Sequence, residues 1–200
     1  APRQQPGSTM LEMSNNGLDF TSGYMSITYV ARVSVASVNP SVGPSSGGTP
    51  VVIGVSSTAM SQLTGCRFGG DTMVKAMVQA GEAVCVSPSR GAGTVEISLV
   101  WSDNSVTKGS KPLMFRYFVM PRVRMLVPSG GPTRGGTTIE VRGDAFDRDG
   151  VYCRFGGAIA SKGVYVSSSM ARCVSVSMPA GTTYVDVSTN GADFSTEGVH

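Results

Sequence analysis

Two ten-residue stretches, PSVGPSSGGT at residues 40–49 and PSGGPTRGGT at residues 128–137, share the pattern Pro-x-x-Gly-Pro-x-x-Gly-Gly-Thr and begin 88 residues apart. Glycine pairs permit positive φ at a turn, and proline fixes φ in the loop before it. Because similarity at a fixed interval is typical of repeated structural units, the chain is predicted to repeat about every 88 residues. The predicted structural turn residues are Gly43, Pro44, Gly47, Gly48, Gly131, Pro132, Gly135 and Gly136.

Further matches extend this repeat in both directions from the turns. The sequence CRFGG occurs at residues 66–70 and again at residues 153–157. Closer to the start of the chain, NGLDF at residues 16–20 resembles NGADF at residues 190–194. This second pair is separated by 174 residues, which is twice 87, so the beginning of the chain belongs to the same repeat scheme.

The matches predict three segments. Residues 1–30 are interpreted as the last strands of a preceding unit, residues 31–118 as one complete unit, and residues 119–200 as a unit that lacks its last strand. Two explanations of the missing strand are open: the sequence is an excerpt of a longer array, or the leading strand of one molecule completes the last unit of the next. The excerpt is favoured, because residues 1–25 duplicate strands that the last unit already has.

Composition and periodicity favour an all-β protein. Glycine and proline are abundant, at 26 and 11 residues, and valine far outnumbers leucine. First strands are predicted at residues 32–35 and 122–125, and second strands at residues 50–53 and 138–141. Alternation of apolar and polar residues at period two, typical of strands with one buried face, gives the core candidates Ile97, Leu99, Val185, Val187, Leu11 and Met13. Short strands in a unit of this size predict a β-sandwich.

Charge and residue inventory exclude several classes of function. The formal net charge is +3, only 14% of residues are charged, and no run of like charges occurs, so no nucleic-acid partner is expected. The only histidine is His200, which argues against a Ser-His-Asp triad and a histidine-containing zinc site. No enzyme activity and no cofactor are therefore expected. No apolar run is long enough to span a bilayer, so no membrane contact is expected within this segment.

The four cysteines form two pairs with similar spacing. Cys66 and Cys85 are 19 residues apart, and Cys153 and Cys173 are 20 residues apart. Disulfides within each unit are favoured, because a four-cysteine zinc site needs close C-x-x-C pairs, which this chain lacks. Free buried thiols are a minor alternative. Disulfides form in oxidising compartments, so the predicted location is extracellular or at the cell surface.

The combined motif closely resembles the IPT/TIG domain. The turn pattern, the Cys-x-Phe-Gly-Gly sequence, a second cysteine followed by proline, and a closing strand with tyrosine carry the resemblance, which covers essentially the whole chain. It implies tandem immunoglobulin-like β-sandwiches, the fold found in plexins, Met-type receptors, fibrocystin-like surface proteins and some transcription factors.

The resemblance implies a non-catalytic extracellular protein, a segment of a structural or adhesive array with fibre formation or fibre coating as one outcome. The expected partners are neighbouring IPT/TIG units of the same or adjacent chains, with other surface proteins or glycans as further candidates. Two alternatives are the stalk of a plexin-like or Met-like receptor ectodomain and an accessory module of a secreted polysaccharide-active enzyme. O-linked sugar is a further expectation, at Pro40, Ser41, Pro44, Ser45, Pro128, Ser129, Pro132 and Thr133.

Overall fold

A computed structural model describes residue 5 and residues 7–23, 25–29, 34–56, 60–70, 72–107, 111–157 and 159–196. These residues form strands and a single-turn 3₁₀ helix at Met60–Gln62, which confirms the all-β prediction. The strands are β1 (Gly7–Leu11), β2 (Met25–Tyr29), β3 (Ser34–Asn39), β4 (Val42–Pro44), β5 (Pro50–Ser56), β6 (Leu63–Phe68), β7 (Met73–Gln79), β8 (Glu82–Val86), β9 (Gly93–Trp101), β10 (Val106–Thr107), β11 (Leu113–Phe118), β12 (Arg122–Val127), β13 (Thr138–Asp144), β14 (Tyr152–Phe155), β15 (Ile159–Lys162), β16 (Val164–Ser167), β17 (Met170–Val174) and β18 (Val185–Ser188).

The first complete unit is a sandwich whose two layers share one strand. One layer has the order β3-β5-β8-β7, and the other has the order β7-β6-β9-β11-β4 with β10 beside β9. The first part of β7 pairs with β6 and its second part pairs with β8, so this strand passes from one layer to the other. Every pairing in these layers is antiparallel except that of β11 with β4.

The second unit repeats this plan with a divided crossover. One layer has the order β12-β13-β17-β16 and the other has the order β15-β14-β18. Here β15 and β16 replace the single strand β7, and Gly163 lies between them. A Cβ added at Gly163 would lie 2.8 Å from the Cys153 sulfur and 2.9 Å from the Arg172 carbonyl oxygen. The absence of a side chain therefore allows the chain to turn between the layers at this point.

Each unit has its own core, and a disulfide joins its two layers. Cys66 on β6 is bonded to Cys85 on β8, and Cys153 on β14 is bonded to Cys173 on β17. All four sulfurs belong to fully or almost fully buried residues. Apolar residues at alternate strand positions surround each disulfide, including the predicted core residues Ile97, Leu99, Val185 and Val187.

The beginning of the chain forms a separate two-stranded sheet. Strand β1 pairs with β2 antiparallel, with Gly7 opposite Tyr29, the same pairing that Gly93 makes with Tyr117 in the first complete unit. The prediction that Leu11 and Met13 are core residues was wrong: 42% and 65% of their surfaces are exposed, because among the described residues no second layer covers this hairpin. The assignment of residues 1–30 to a preceding unit stays a prediction.

Some expectations fall on parts of the chain outside the described residues. These include residues 32 and 33 of the predicted first strand, the boundary at residues 30–31, and His200. Among the described residues of the second unit, which end at residue 196, no strand corresponds to β11. The statement that residues 119–200 lack their last strand also stays a prediction.

Candidate interaction surfaces

The residues that the structure describes contain no group of three or more His, Cys, Asp or Glu side chains placed to hold a metal ion. In the same part of the chain, no helix has both the length and the apolar character needed to cross a membrane. The sole tryptophan, Trp101, is buried, and its indole nitrogen donates a hydrogen bond of 2.9 Å to the Thr107 hydroxyl. It therefore offers no exposed face on which a sugar ring could stack. Interaction surfaces are instead provided by turns and loops.

The glycine turn of the first unit has a fixed backbone structure. Gly47 and Gly48 have φ values of 76° and 90°, a region that favours glycine. The Gly47 amide donates to the Pro44 carbonyl at 2.9 Å, and the Gly48 amide donates to the Ser87 carbonyl at 2.8 Å. At Gly43, an added Cβ would lie 2.5 Å from the hydroxyl oxygen of Thr49. The turn residues named from the sequence thus bring the Thr49 side chain against the backbone of β4.

The corresponding turn of the second unit has the same structure. Gly135 and Gly136 have φ values of 76° and 84°. Their amides donate to the carbonyls of Pro132 and Ser175 at 2.9 and 2.8 Å. An added Cβ at Gly131 would contact the hydroxyl oxygen of the threonine that ends the motif, as at Gly43.

A loop of the second unit is organised by one asparagine. The side-chain oxygen of Asn190 accepts hydrogen bonds from the amides of Ala192 and Asp193 at 3.0 and 2.8 Å. The Ser188 hydroxyl donates to the same oxygen at 3.1 Å and accepts from the Gly191 amide at 2.9 Å. Gly191 has a φ of 76°, so the loop needs glycine at this position. Residues 190–193 are called the Asn-Asp loop below.

The Asn-Asp loop contacts the glycine turn of the first unit. The Asn190 side-chain amide donates one hydrogen bond of 2.9 Å to the Val42 carbonyl and another of 2.7 Å to the Asp193 carboxylate. The Thr49 hydroxyl donates to the same carboxylate oxygen at 2.9 Å. Because Thr49 is fully buried, this carboxylate receives a hydrogen bond that water does not compete for freely.

An ion pair forms a second contact between the units. Arg116 on β11 lies with its guanidinium nitrogens 2.6 Å from an Asp147 oxygen and 2.9 Å from an Asp149 oxygen. Burial raises the pKa of Asp147, but the Asp149 amide and the Arg116 guanidinium outweigh it and hold the pKa below its ordinary value. The carboxylate is therefore ionised at neutral pH and available to Arg116.

The second unit also has an open groove of about 670 Å³ beside β18. In the first unit, β11 lies between β9 and β4 and places the buried rings of Phe115 and Tyr117 in the core. The groove occupies the matching position, because its lining includes residues 128–133 and residues 180–185. The groove is thus where a strand like β11 would lie.

The residues expected to carry O-linked sugar differ in exposure. Ser41 and Ser129 are exposed, as are Pro128, Pro132 and Thr133. In the first unit Pro40 and Ser45 are half-buried, and Pro44, which pairs with Phe118 of β11, is buried. Glycosylation stays a prediction, and its accessible positions are the exposed serine, threonine and proline residues. Pro128, Pro132 and Thr133 also line the groove, so sugar on them would compete with a strand there.

The residues that make the contacts between units were not identified as functional from the sequence. Asn190 and Asp193 belong to the NGADF sequence, which served only as a marker of the repeat. Its recurrence at residues 16–20, outside the turn and cysteine motifs, was the available signal. Arg116 and Asp147 gave no signal, because their pairing depends on how two units meet.

Known protein families and proteins are similar to this chain in sequence. The IPT/TIG domain model matches residues 34–117 and 121–200. Plexin-A2 of Mus musculus is 34% identical over 149 residues, which are 68% of this chain and 7% of that protein. Plexin-A3 of Homo sapiens is 29% identical over 122 residues, 56% of this chain and 6% of that protein. This chain therefore spans less than a tenth of the length of these curated relatives.

Among solved structures, a plexin A4 full extracellular region is similar to this chain, with 18% sequence identity and a TM-score of 0.49. The match covers 84% of this chain and 15% of that one. The protein is extracellular or lies at the cell surface, where an oxidising environment maintains disulfides such as its two. Since the domain model covers most of both sandwiches, the chain belongs to the IPT/TIG domain family.

Proposed function

We propose that this chain is a non-catalytic segment of an extracellular array in which IPT/TIG units are held at a defined angle. The observation that carries the proposal is the contact between the units, which combines the Asn-Asp loop on the glycine turn with the ion pair of Arg116. Only Val119, Met120 and Pro121 separate β11 from β12, and Pro121 is buried. A connection of three residues with two separate contacts between the units favours a stiff junction.

A stiff junction suits a spacer that sets the distance between other parts of a protein. The contacts are individually weak: an exposed ion pair contributes about 0.2–1 kcal/mol, and the pair of Arg116 with Asp147 is only half-buried. Their value here is geometric, because two separate contacts restrict rotation about the short connection. The 34% identity to Plexin-A2 supports a place in a receptor ectodomain stalk as the setting of this spacer. The contacts described above all lie within one chain and do not bear on fibre formation.

The test measures the distance between spin labels placed on the two units. The wild-type chain is expected to give a narrow distance distribution. Arg116→Ala combined with Asn190→Ala should broaden it, because both contacts are lost. Arg124→Ala is the matched control, since Arg124 pairs with Asp144 inside the second unit and does not contact the first. Equal, broad distributions in all three proteins would contradict the proposal.

The same distance distribution should depend on pH in the acid range. The pKa of Asp147 is below its ordinary value in the folded protein, so the ion pair contributes fully above the ordinary aspartate pKa of about 3.9. Its contribution is lost as the pH falls below that value through the lowered pKa. We expect a narrow distribution at pH 5–7 and broadening below about pH 3.9, with less change in Arg116→Ala.

A further inference from the structure

The loop at residues 14–19 has the same hydrogen bonds as the Asn-Asp loop. Asn16 accepts from the amides of Leu18 and Asp19 at 2.9 Å each and donates to the Asp19 carboxylate at 2.7 Å. The Ser14 hydroxyl donates to Asn16 at 3.1 Å and accepts from the Gly17 amide at 2.9 Å. The φ of Gly17 is 72°, against 76° in the Asn-Asp loop. The loop at residues 14–19 therefore has the conformation of the Asn-Asp loop.

This organisation is not a requirement of the fold. The corresponding connection between β9 and β10 of the first complete unit has the sequence SDNS at residues 102–105. There Asn104 adopts a φ of 62° and its amide donates to the Trp101 carbonyl. An IPT/TIG unit can therefore close this connection without the Asn-Gly-x-Asp sequence. In the second unit that sequence also contacts a neighbouring unit.

The polar groups that make this contact are exposed in the first loop. Asn190 uses one side-chain amide hydrogen for Asp193 and the other for the carbonyl of Val42. Asn16 uses one hydrogen for Asp19, and both side chains are exposed. Within the described part of the chain, no residue of a glycine turn contacts them. The loop thus presents one amide hydrogen and one carboxylate oxygen at the spacing that fits a glycine turn.

The matching half of the contact is at least partly exposed on the second unit. Gly130 corresponds to Val42, and Thr137 corresponds to Thr49, by the 88-residue repeat. The turn that holds them is already formed, since its glycine φ values and hydrogen bonds repeat those of the first unit. Gly130 is exposed and Thr137 is half-buried, whereas Thr49, whose hydroxyl contacts Asp193 of the second unit, is fully buried.

We propose that the loop at residues 14–19 is a docking site for the Pro-x-x-Gly-Pro-x-x-Gly-Gly-Thr turn of another IPT/TIG unit. Its Asn16 side-chain amide donates to the carbonyl of the third residue of that motif. Its Asp19 carboxylate accepts from the hydroxyl of the threonine that ends the motif. The inference rests on the proposed function, because the junction of Asn190 and Asp193 is its template. A second copy of this chain supplies the turn at residues 128–137, so head-to-tail contact between copies is the form that can be measured.

The test uses nuclear magnetic resonance of the ¹⁵N-labelled chain over a concentration series up to about 1 mM, a range suited to a contact of two hydrogen bonds. We expect the side-chain amide resonances of Asn16 to move with concentration towards those of Asn190. Thr137→Val, which removes the hydroxyl and keeps the side-chain shape, should abolish the movement. Thr138→Val is the matched control, because that exposed threonine lies next in the sequence but outside the turn.

A second experiment changes the loop instead of the turn. Asp19→Ala should remove the concentration dependence of the backbone amides of Gly136 and Thr137. Asn16 resonances that do not move with concentration, or that move equally in Thr137→Val, would overturn the inference. Thr49→Val separates this outcome from failure of the proposed function: it should displace the Asn190 resonances at every concentration. If Thr49→Val leaves them unchanged, the junction itself is absent in solution.

Discussion

The two sandwiches share a plan but differ in the length of one central strand. In the first unit β9 has nine residues, Gly93–Trp101, whereas in the second unit β18 has four, Val185–Ser188. The first four residues of β9 are GTVE at 93–96, and they correspond to GTTY at 181–184, just before β18. The two sequences are comparable in their tendency to form strands. The difference is the partner, because the residues of β9 from Gly93 onwards pair with β11.

The same cause explains a second difference at the glycine turn. Residues 42–44 form β4 because they pair in parallel with β11, and residues 130–132 of the second unit are not a strand. The segments on the two sides of the groove, residues 130–132 and 181–184, are therefore both without strand structure. Partner availability, more than local sequence, therefore decides which residues of these units become strands.

The most direct test is to supply the second unit with a strand like β11. We expect a copy of LMFRYF, the sequence of Leu113–Phe118, placed directly after His200 to extend β18 back to Gly181. The spacing matches, since Phe194 pairs with Ser188 as Val106 pairs with Val100. Burial of two aromatic rings should stabilise the second unit by about 3–6 kcal/mol.

Denaturant unfolding followed by hydrogen exchange in residues 121–196 measures this gain. The control extension carries serine in place of both aromatic residues and should give little stabilisation. An unchanged second unit with the aromatic extension would show that the groove is not a strand site.

Removing the disulfides should affect the two units differently. Replacing Cys153 and Cys173 with alanine should cost about 2–5 kcal/mol and unfold the second unit first. The same change at Cys66 and Cys85 should cost a similar free energy but leave a folded unit, because β11 completes that core. Thermal unfolding of both variants measures the difference. Peptide mapping without reduction checks the pairing, and a crosslink between Cys66 and Cys153 would contradict it.

At the divided crossover of the second unit, a small substitution should reduce stability more than the same substitution at an open position. Gly163→Ala should destabilise the second unit by about 1–3 kcal/mol, because its Cβ would overlap the Cys153 sulfur and a backbone carbonyl. The corresponding residue of β7 is already alanine, Ala76. Gly91→Ala is the control, since an added Cβ there meets no atom within 4 Å. Equal stability of the two variants in urea would refute this account of the crossover.

The smallest expected effect concerns the closing strand of the first unit. Tyr117 is buried, its hydroxyl has no hydrogen-bond partner among the described residues, and burial raises its pKa. Tyr117→Phe should therefore raise the free energy of unfolding by up to about 1 kcal/mol, because an unsatisfied polar group is removed. Tyr152→Phe serves as the half-buried control. A clear loss of stability in Tyr117→Phe would mean that its hydroxyl has a partner in solution.

The sequence predicted the repeat, the all-β class and the buried positions of Ile97, Leu99, Val185 and Val187. These features depend on local signals: glycine turns, period-two alternation and paired cysteines. Leu11 and Met13 show the limit, because their alternation is strand-like but burial needs a covering layer. The pairing of Arg116 with Asp147 could not be predicted for a related reason, since no local pattern encodes which surfaces of two units meet.

The parallel pairing of β4 with β11 has a mechanical consequence. The register places Val42 opposite Arg116 and Pro44 opposite Phe118, close to where the chain enters and leaves the first unit. Tension along the array pulls these two strands in opposite directions along their own axes. The hydrogen bonds from Arg116 to Ser41 and from Ser45 to Phe118 are then sheared together instead of opening one after another. Under load, a unit with this pair should yield after a unit without it.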